Sequence, residues 1–504
     1  MTGLSSHRAG RAVVLAASAL TMVASAAAQV AVRGFEGTSQ FQNFLLDGAF
    51  RPPDTMGAVG TTQFLETTNG SVTVYDKLSG AVQLRIGANA FWQNAGQTGT
   101  SGDQRTLFDH YTNRWIVIGF GSLTADINIA VSDTSNALGS WKSTQFTGFA
   151  GGTADYPTLG LDDKGVYIAT NNFSTTFQGT RVNVIPKADL FGGAPSAANI
   201  TSFTYPYPAV RDRGYAIQGA VNWGGNPTNT ASFMAASTEV SDQQFWRVSG
   251  VNGPGATQTA SIAVGGVGYA NPQPGRQPDG SRLVDTLDDR ISANIYQVGN
   301  RLYSVHTVTP NATDFTAVRW TVVDATTGTL IDEGDISGGN FDYYQGSIAV
   351  NEFGQAVIGY NRSGLQTTDL NGDGKEDGRI SFLARAFQAD ASGGLDAAGA
   401  EQLLRVSDVN DYHAGARAGC DPSAGNCRER WGDYSAVTID PGNHRSFYAI
   451  GEYAGDWVTY ITSPRAQWAT YIAEITLVPE PSQYALLMIG LGVVGWAARR
   501  RKTG

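Results

Sequence analysis

A chain of 504 residues with 62 glycines, 15% charged and 41% hydrophobic residues suits a large antiparallel β protein with many tight turns, and excludes a disordered one. The formal net charge is −10, and setting aside six positive charges and Glu480 at the two ends leaves −15 for the body. Such a body repels anionic membranes and lacks the basic footprint of a nucleic-acid binder.

The chain opens as an export signal: His7, Arg8 and Arg11, an apolar run from Val13 to Val23, then Ala24-Ser25-Ala26-Ala27-Ala28 as a cleavage region. Residues 1–28 are read as this signal, with the mature start near Gln29, and residues 29–50 as a lead-in segment.

From 51 to 477 one pattern recurs: a short alternating strand, a turn of Asp, Asn and Gly, and a second alternating strand. QRTLFDHYTNRWIVIGFGS from Gln104, YPTLGLDDKGVYIATNNF from Tyr156, ISANIYQVGNRLYSVHTV from Ile291, QGSIAVNEFGQAVIGYNRS from Gln345 and DYSAVTIDPGNHRSFYAIGEYA from Asp433 all follow it. Shorter cousins start at Met56 and Tyr215. The openers Asp54, Asp103, Asp155, Tyr215, Asp289, Tyr343 and Asp433 lie at spacings that fit four-stranded blades with some long loops. The fold class expected is all-β, a seven-bladed β-propeller, with a six-bladed ring or a pair of β-sandwiches as alternatives.

In such a ring the start of each innermost strand borders the central channel. Asp103 with Arg105, Asp155 with Tyr156, Asp289 with Arg290, Tyr344 with Gln345, and Arg430 with Asp433 and Tyr434 are therefore expected to crowd one mouth. Converging carboxylates and arginines can bind a sugar or a cation, and two carboxylates at suitable separation can act as acid and base on a glycosidic bond. Propellers also use such residues to close blades, and the sequence has no GxSxG, GxxxxGK[ST] or HExxH motif. The five histidines, His7, His110, His306, His413 and His444, are scattered. The reading favoured is a non-enzymatic one.

DLNGDGKED presents Asp369, Asn371, Asp373 and Asp377 around Gly374, with the Lys375 carbonyl, in the spacing of a Ca²⁺ loop. Ile380 stands where an EF-hand has its bidentate Glu. A structural Ca²⁺ in the sixth blade is expected, the alternative being a polar turn. Cys420 and Cys427, in GCDPSAGNCRE, are the two cysteines of an exported chain and are expected to form one disulfide.

The chain closes with VPEPSQYALLMIGLGVVGWAARRRKTG. Fifteen uncharged residues from Tyr484 to Ala498, at about 1.5 Å each, reach roughly 22 Å against about 30 Å of hydrocarbon, a short transmembrane helix. The basic cluster Arg499, Arg500, Arg501 and Lys502 favours the cytoplasmic side. A Val-Pro-Glu-Pro motif, an apolar span and an arginine cluster resemble the PEP-CTERM sorting signal of Gram-negative bacteria. That resemblance implies that Pro479-Glu480-Pro481 is recognised by an exosortase, that residues 478–504 only transiently engage the inner membrane, and that the protein reaches the cell surface or extracellular matrix. A permanent single-span anchor is the alternative. Family members commonly come from species that make exopolysaccharide, which makes exopolysaccharide the expected partner. The body, through its RWGDYS (Arg430–Ser435) and DYPTLG (Asp155–Gly160) segments, also resembles uncharacterised secreted bacterial propellers. Together these point to an exported binding or structural module; the alternative is a glycan-active hydrolase or lyase working with the mouth carboxylates.

Overall fold

The computed structural model describes residues 29–98, 102–121, 124–208, 213–236, 242–280, 282–311, 313–413, 428–460 and 463–478. The expected export signal, the Cys420–Cys427 disulfide and the sorting tail from Pro479 lie outside the described residues. Residues 31–476 form one compact unit. Among the described residues no helix is long and apolar enough to cross a membrane.

Seven antiparallel sheets follow one another along the chain as the blades of a β-propeller. Blade 1 holds Met56–Val59, Gln63–Thr68, Ser71–Asp76 and Val82–Gly87; blade 2 holds Arg105–Asp109, Arg114–Phe120, Asp126–Ser132 and Trp141–Thr147. Thr153–Leu161, Gly165–Phe173, Phe177–Pro186 and Thr201–Pro206 make blade 3, and Tyr215–Gly219, Thr230–Ala236 and Gln243–Ser249, edged by Thr257–Gln258 and Ile262–Ala263, make blade 4. Blade 5 is built on Tyr296–Val298, Arg301–Pro310, Ala317–Asp324 and Leu330–Ile336, and blade 6 on Phe341–Val350, Gln355–Gly364 and Ser381–Ala389, edged by Leu395–Ala397 and Gln402–Val406. Blade 7 combines Ala436–Ile439, Ser446–Tyr460 and Ser463–Val478 with the N-terminal strand Gln29–Ser39.

That last sheet corrects the reading of residues 29–50 as a segment ahead of the propeller. A blade that takes strands from both chain ends fastens the ring without a covalent link, and Gln29–Ser39 supplies such a strand. The seam is tied by Glu66 of blade 1, a fully buried side chain. It accepts from the hydroxyls of Thr38 (2.7 Å), Tyr75 (2.6 Å) and Thr470 (2.5 Å), which belong to the N-terminal strand, blade 1 and the C-terminal strand. Burying a carboxyl group is tolerable because its oxygens are satisfied.

Burial follows position in the blade. Trp115, Ile116, Val117 and Ile118 on the second strand of blade 2 are all fully buried, because a central strand packs against neighbouring blades on both faces. The outermost strand, Trp141–Thr147, alternates towards solvent. Where innermost strands approach most closely, side chains are excluded: a Cβ on Gly160 of blade 3 would lie 2.0 Å from the Gly219 carbonyl oxygen of blade 4.

A buried ion pair recurs between blades. Lys77, just past the third strand of blade 1, meets Asp440 of blade 7 at 2.8 Å, and Lys187, just past the third strand of blade 3, meets Asp109 of blade 2 at 2.6 Å. Asp440 and Asp109 occupy the same place, the far end of an innermost strand. Removing one partner strands a buried charge, so Asp440→Ala is expected to lower stability by about 3–5 kcal/mol, whereas replacing both residues by apolar ones is expected to cost far less. Urea denaturation of the two variants checks this, and equal losses would contradict it.

Candidate functional site at one channel mouth

The innermost strands begin in a repeated way. Asp54, Asp103, Tyr156, Ala216 and Gln345 all adopt left-handed backbone angles, with φ of 50°, 50°, 51°, 48° and 52°. In blades 3, 4 and 6 these residues sit in register shifts of the inner strand, between Asp155 and Thr158, Tyr215 and Gln218, and Tyr344 and Ser347. A bulge of this kind bends the strand and re-aims its side chains. The exposed amides are satisfied by side chains: Asp103 N–H donates to Asn69 Oδ1 (2.8 Å), Tyr156 N–H to Asp103 Oδ2 (3.1 Å), Ala216 N–H to Asn171 Oδ1 (2.9 Å) and Gln345 N–H to Thr307 Oγ1 (3.1 Å). Strain at one position in five blades is therefore held by neighbouring residues, and it turns the openers towards the axis.

Asp103, Asp155, Arg290, Arg430 and Asp433 are partly exposed there, while Arg105, Tyr156 and Tyr434 lie beneath them, nearly or fully buried. The Arg105 guanidinium lies 3.3 Å from the centre of the Tyr434 ring and 5.1 Å from that of Tyr156. Its Nε donates to the Pro157 carbonyl (3.1 Å) and its Nη1 to the Ser292 carbonyl (2.9 Å), so it reaches from blade 2 to blade 3 and to the approach of blade 5. Arg290 lies 4.5 Å above Tyr156 and donates to Asp288 from Nε (2.6 Å) and Nη2 (2.8 Å). Arg430 donates to Asp285 (3.1 Å) and Asp433 (2.7 Å).

The carboxyl groups are crowded. Asp433 N–H donates to Asp54 Oδ1 (3.0 Å) and Asn69 to Asp54 Oδ2 (2.6 Å). Burial, then the charges of Asp54, Asp155 and Asp433, pushes Asp103 well above the usual carboxylate range. Burial and Asp54 raise Asp433 to about 7 against the pull of Arg430 and Arg290. Burial likewise raises Asp155, and burial with Asp54 raises Glu452 strongly.

The structure thus gathers Asp103, Arg105, Asp155, Tyr156, Arg290, Arg430, Asp433 and Tyr434. Asp289 is turned elsewhere, accepting from the hydroxyls of Tyr215 (2.6 Å) and Tyr269 (3.2 Å) while Asp288 holds Arg290. Asp54, Asp285, Asp288 and Glu452 were missed as members. Asp54 had a signal, since it precedes its inner strand as Asp103 does; Glu452 lies inside a strand whose alternation gives no hint of the channel.

At the opposite ends of the inner strands, two of the histidines that look scattered in sequence, His110 and His444, meet the same side chain. Trp223 stacks on His110 (3.9 Å between ring centres, 29°), meets His444 edge-on (5.3 Å, 84°) and donates from Nε1 to Glu352 (2.9 Å), which also pairs with His444 (2.5 Å). His110 belongs to blade 2, Glu352 to blade 6 and His444 to blade 7, so Trp223 ties blade 4 to three other blades.

The expected Ca²⁺ loop lies between two strands of blade 6. Asp369 accepts from the amides of Gly372 (2.7 Å) and Gly374 (2.8 Å), Asp373 from that of Lys375 (2.9 Å) and Asp377 from that of Leu370 (3.1 Å). Asn371 donates to Asp373 (3.2 Å), and the Lys375 ammonium pairs with Asp408 (2.9 Å). Among the described residues no three His, Cys, Asp or Glu side chains are gathered to hold a metal.

Residues 477–502 match the PEP-CTERM protein-sorting motif. That motif implies an exported, exosortase-sorted surface protein, here with a seven-bladed propeller as its body. No curated protein matches the chain. Among solved structures it is similar to a protein of unknown function from Dyadobacter fermentans, at 10% identity and a TM-score of 0.38 over 88% of this chain and 99% of that one. It is also similar to the α-L-arabinanase of Penicillium chrysogenum complexed with arabinobiose, at 11% identity and a TM-score of 0.33 over 62% and 92%. The GH43 endo-arabinanase of Bacillus licheniformis follows at 10% identity and a TM-score of 0.30 over 56% and 93%. Likeness at this level says nothing about activity.

The raised Asp433 has a thermodynamic consequence. Its folded value of about 7 exceeds the unfolded value of about 3.9, so its protonation contributes stability that is full below the unfolded value and is lost as pH rises through the folded one. Stability is expected to fall between about pH 5 and pH 8, with a shallower fall in Asp433→Asn. Denaturation curves across that range check this, and an unchanged slope in the variant would contradict it.

Proposed function

We propose that this protein is a cell-surface or matrix component whose propeller binds polysaccharide through the channel mouth. The observation that supports it most is the convergence, from blades 1, 2, 3 and 7 and the approach to blade 5, of carboxyl groups, guanidinium groups and two tyrosine rings at one partly open end of the channel. Sugars are held by such mixtures of fixed donors, fixed acceptors and aromatic faces. Sorting by the tail would bring the propeller to the surface where polysaccharide is found, with exosortase as the processing partner. Replacing Pro479-Glu480-Pro481 by alanines is expected to leave the protein unprocessed in the inner membrane; fractionation with an antibody to the body checks this, and normal surface display would contradict it.

Binding is expected to be saturable on at least some members of a broad glycan panel and to weaken in Asp155→Asn and Asp433→Asn with the fold retained. Affinity unchanged in both variants would move the site away from the mouth.

A second reading, hydrolysis or elimination of a glycan, is favoured by one observation, the neighbouring carboxyl groups of Asp103 and Asp433, both pushed above their usual range by burial and by the charge of Asp54. Carboxyl groups whose environments separate their protonation states are what acid and base roles require. Turnover that disappears in Asp103→Asn while binding persists would establish it.

Calcium at the Asp369 loop is a separate proposal. Asp369, Asn371, Asp373 and Asp377 would hold it with the Lys375 carbonyl, stiffening the loop. Calcium is expected to raise the melting temperature and Asp373→Ala to abolish that rise; no rise in the parent protein would remove the assignment.

A further inference from the structure

We propose that the protein has a binding site apart from the mouth: an apolar cavity between blades 1 and 2 that takes the compact aryl or branched-alkyl end of a small molecule. This site stands independently of the polysaccharide reading.

The chain itself plugs most of the gap between these two blades. A short helix, Ala88–Asn94, follows the outermost strand of blade 1 and buries Phe91 and Trp92 there. The Phe91 ring meets that of Trp141 edge-on, with 5.1 Å between centres. Beside this plug a cavity of about 110 Å³ is left. Leu65, Val72 and Val74, on the inner strands of blade 1, border it and are fully buried. Leu84, Ile86 and Trp141, on the outermost strands of the two blades, are half-buried around it, and Asn94 and Leu138 are exposed. Exposure thus rises from the inner strands to the outer ones, so the cavity opens at the outer rim of the propeller.

The chemistry of the lining selects the ligand. Among the described residues no charged side chain borders the cavity. The indole N–H of Trp141 already donates to the Ala137 carbonyl (2.9 Å), and the side-chain amide of Asn94 is at the exposed end. A trapped water needs about two to four polar partners, and the buried part of this lining offers none. Wall atoms that face a void forgo the dispersion contacts of a closely packed interior, and an apolar group restores them while leaving water behind. An apolar cavity of roughly 150 Å³ takes up benzene or xenon, so this smaller one suits a group of roughly four to six carbons.

The geometry of the entrance favours a narrow group over a flat partner surface. Leu138, 44% exposed, lies in a turn from Asp133 to Ser140 that is closed by its own backbone hydrogen bond (2.9 Å). That turn belongs to blade 2 and is fastened to blade 1: Gln63 Oε1 accepts from the Ala137 amide (2.8 Å), and Gln63 Nε2 donates to Asn136 (3.1 Å). The entrance is therefore held across the junction of the blades. Contact with Val72 and Val74 behind it requires a slender apolar end, and a polar remainder of the ligand stays outside beside Asn94.

The test titrates the full-length protein, by isothermal calorimetry, with benzene, toluene and imidazole, a polar ring of like size, and pressurises its crystals with xenon. Benzene and toluene are expected to bind saturably, imidazole about tenfold or more weakly, and xenon to occupy the cavity. Ala137→Leu and Leu84→Trp, which add carbon atoms to the lining, are expected to weaken benzene about tenfold or more, a loss equal to about two methylenes of apolar contact. Two variants are used because overfilling can unfold one of them; circular dichroism confirms the fold of each, and the xenon experiment needs neither. Benzene affinity unchanged in a folded variant, or xenon bound only elsewhere, would overturn the site. Imidazole binding as tightly as benzene would overturn the apolar class of ligand. A side chain of a neighbouring copy filling the cavity and excluding both benzene and xenon would overturn the small-molecule occupant.

Discussion

Closure of the ring is the constraint on which everything else in this structure depends. The last blade lacks its fourth strand until the first strand of the chain joins it beside Ser463–Val478. The hydroxyls of Thr38, Tyr75 and Thr470 converging on Glu66 hold that seam. The mouth inherits its geometry from this contact. Asp54 and Asp103 come from the first two blades and Asp433 and Tyr434 from the last, so they meet only when the ends of the ring are joined.

The same contact explains why the mouth tolerates so much unfavourable electrostatics. Left-handed residues at the start of five blades and carboxyl groups held in protonated states lower stability locally. They persist because neighbours satisfy them, as Asn69 does in bonding both Asp54 and the amide of Asp103. Elsewhere the ring is reinforced by hydrophobic sheet faces and by the paired lysines Lys77 and Lys187.

Much of the fold was legible because its signals are local. Each hairpin writes its own alternation and turn, so the opener of every blade, from Asp54 to Asp433, could be read without knowing what it packs against. The openers predicted the mouth for the same reason, since a repeated unit puts equivalent residues at equivalent places. What escaped depends on pairing over long separations. Gln29–Ser39 reads as a polar lead-in because its partner strand, Ser463–Val478, lies at the other end of the chain. Asp288 and Asp289 are neighbours of equal chemistry, and only the positions of Tyr215 and Tyr269 decide which of them faces Arg290. His110 and His444 become a pair only through Trp223, contributed by the connection between the first two strands of blade 4.

The central claim is that the mouth of the propeller binds polysaccharide. The most direct measurement is a crystal structure of the full chain grown with an oligosaccharide that binds it. The account predicts a sugar residue at the mouth, within hydrogen-bonding reach of the partly exposed Asp155 and Asp433. Sugar bound only on the outer loops would contradict it.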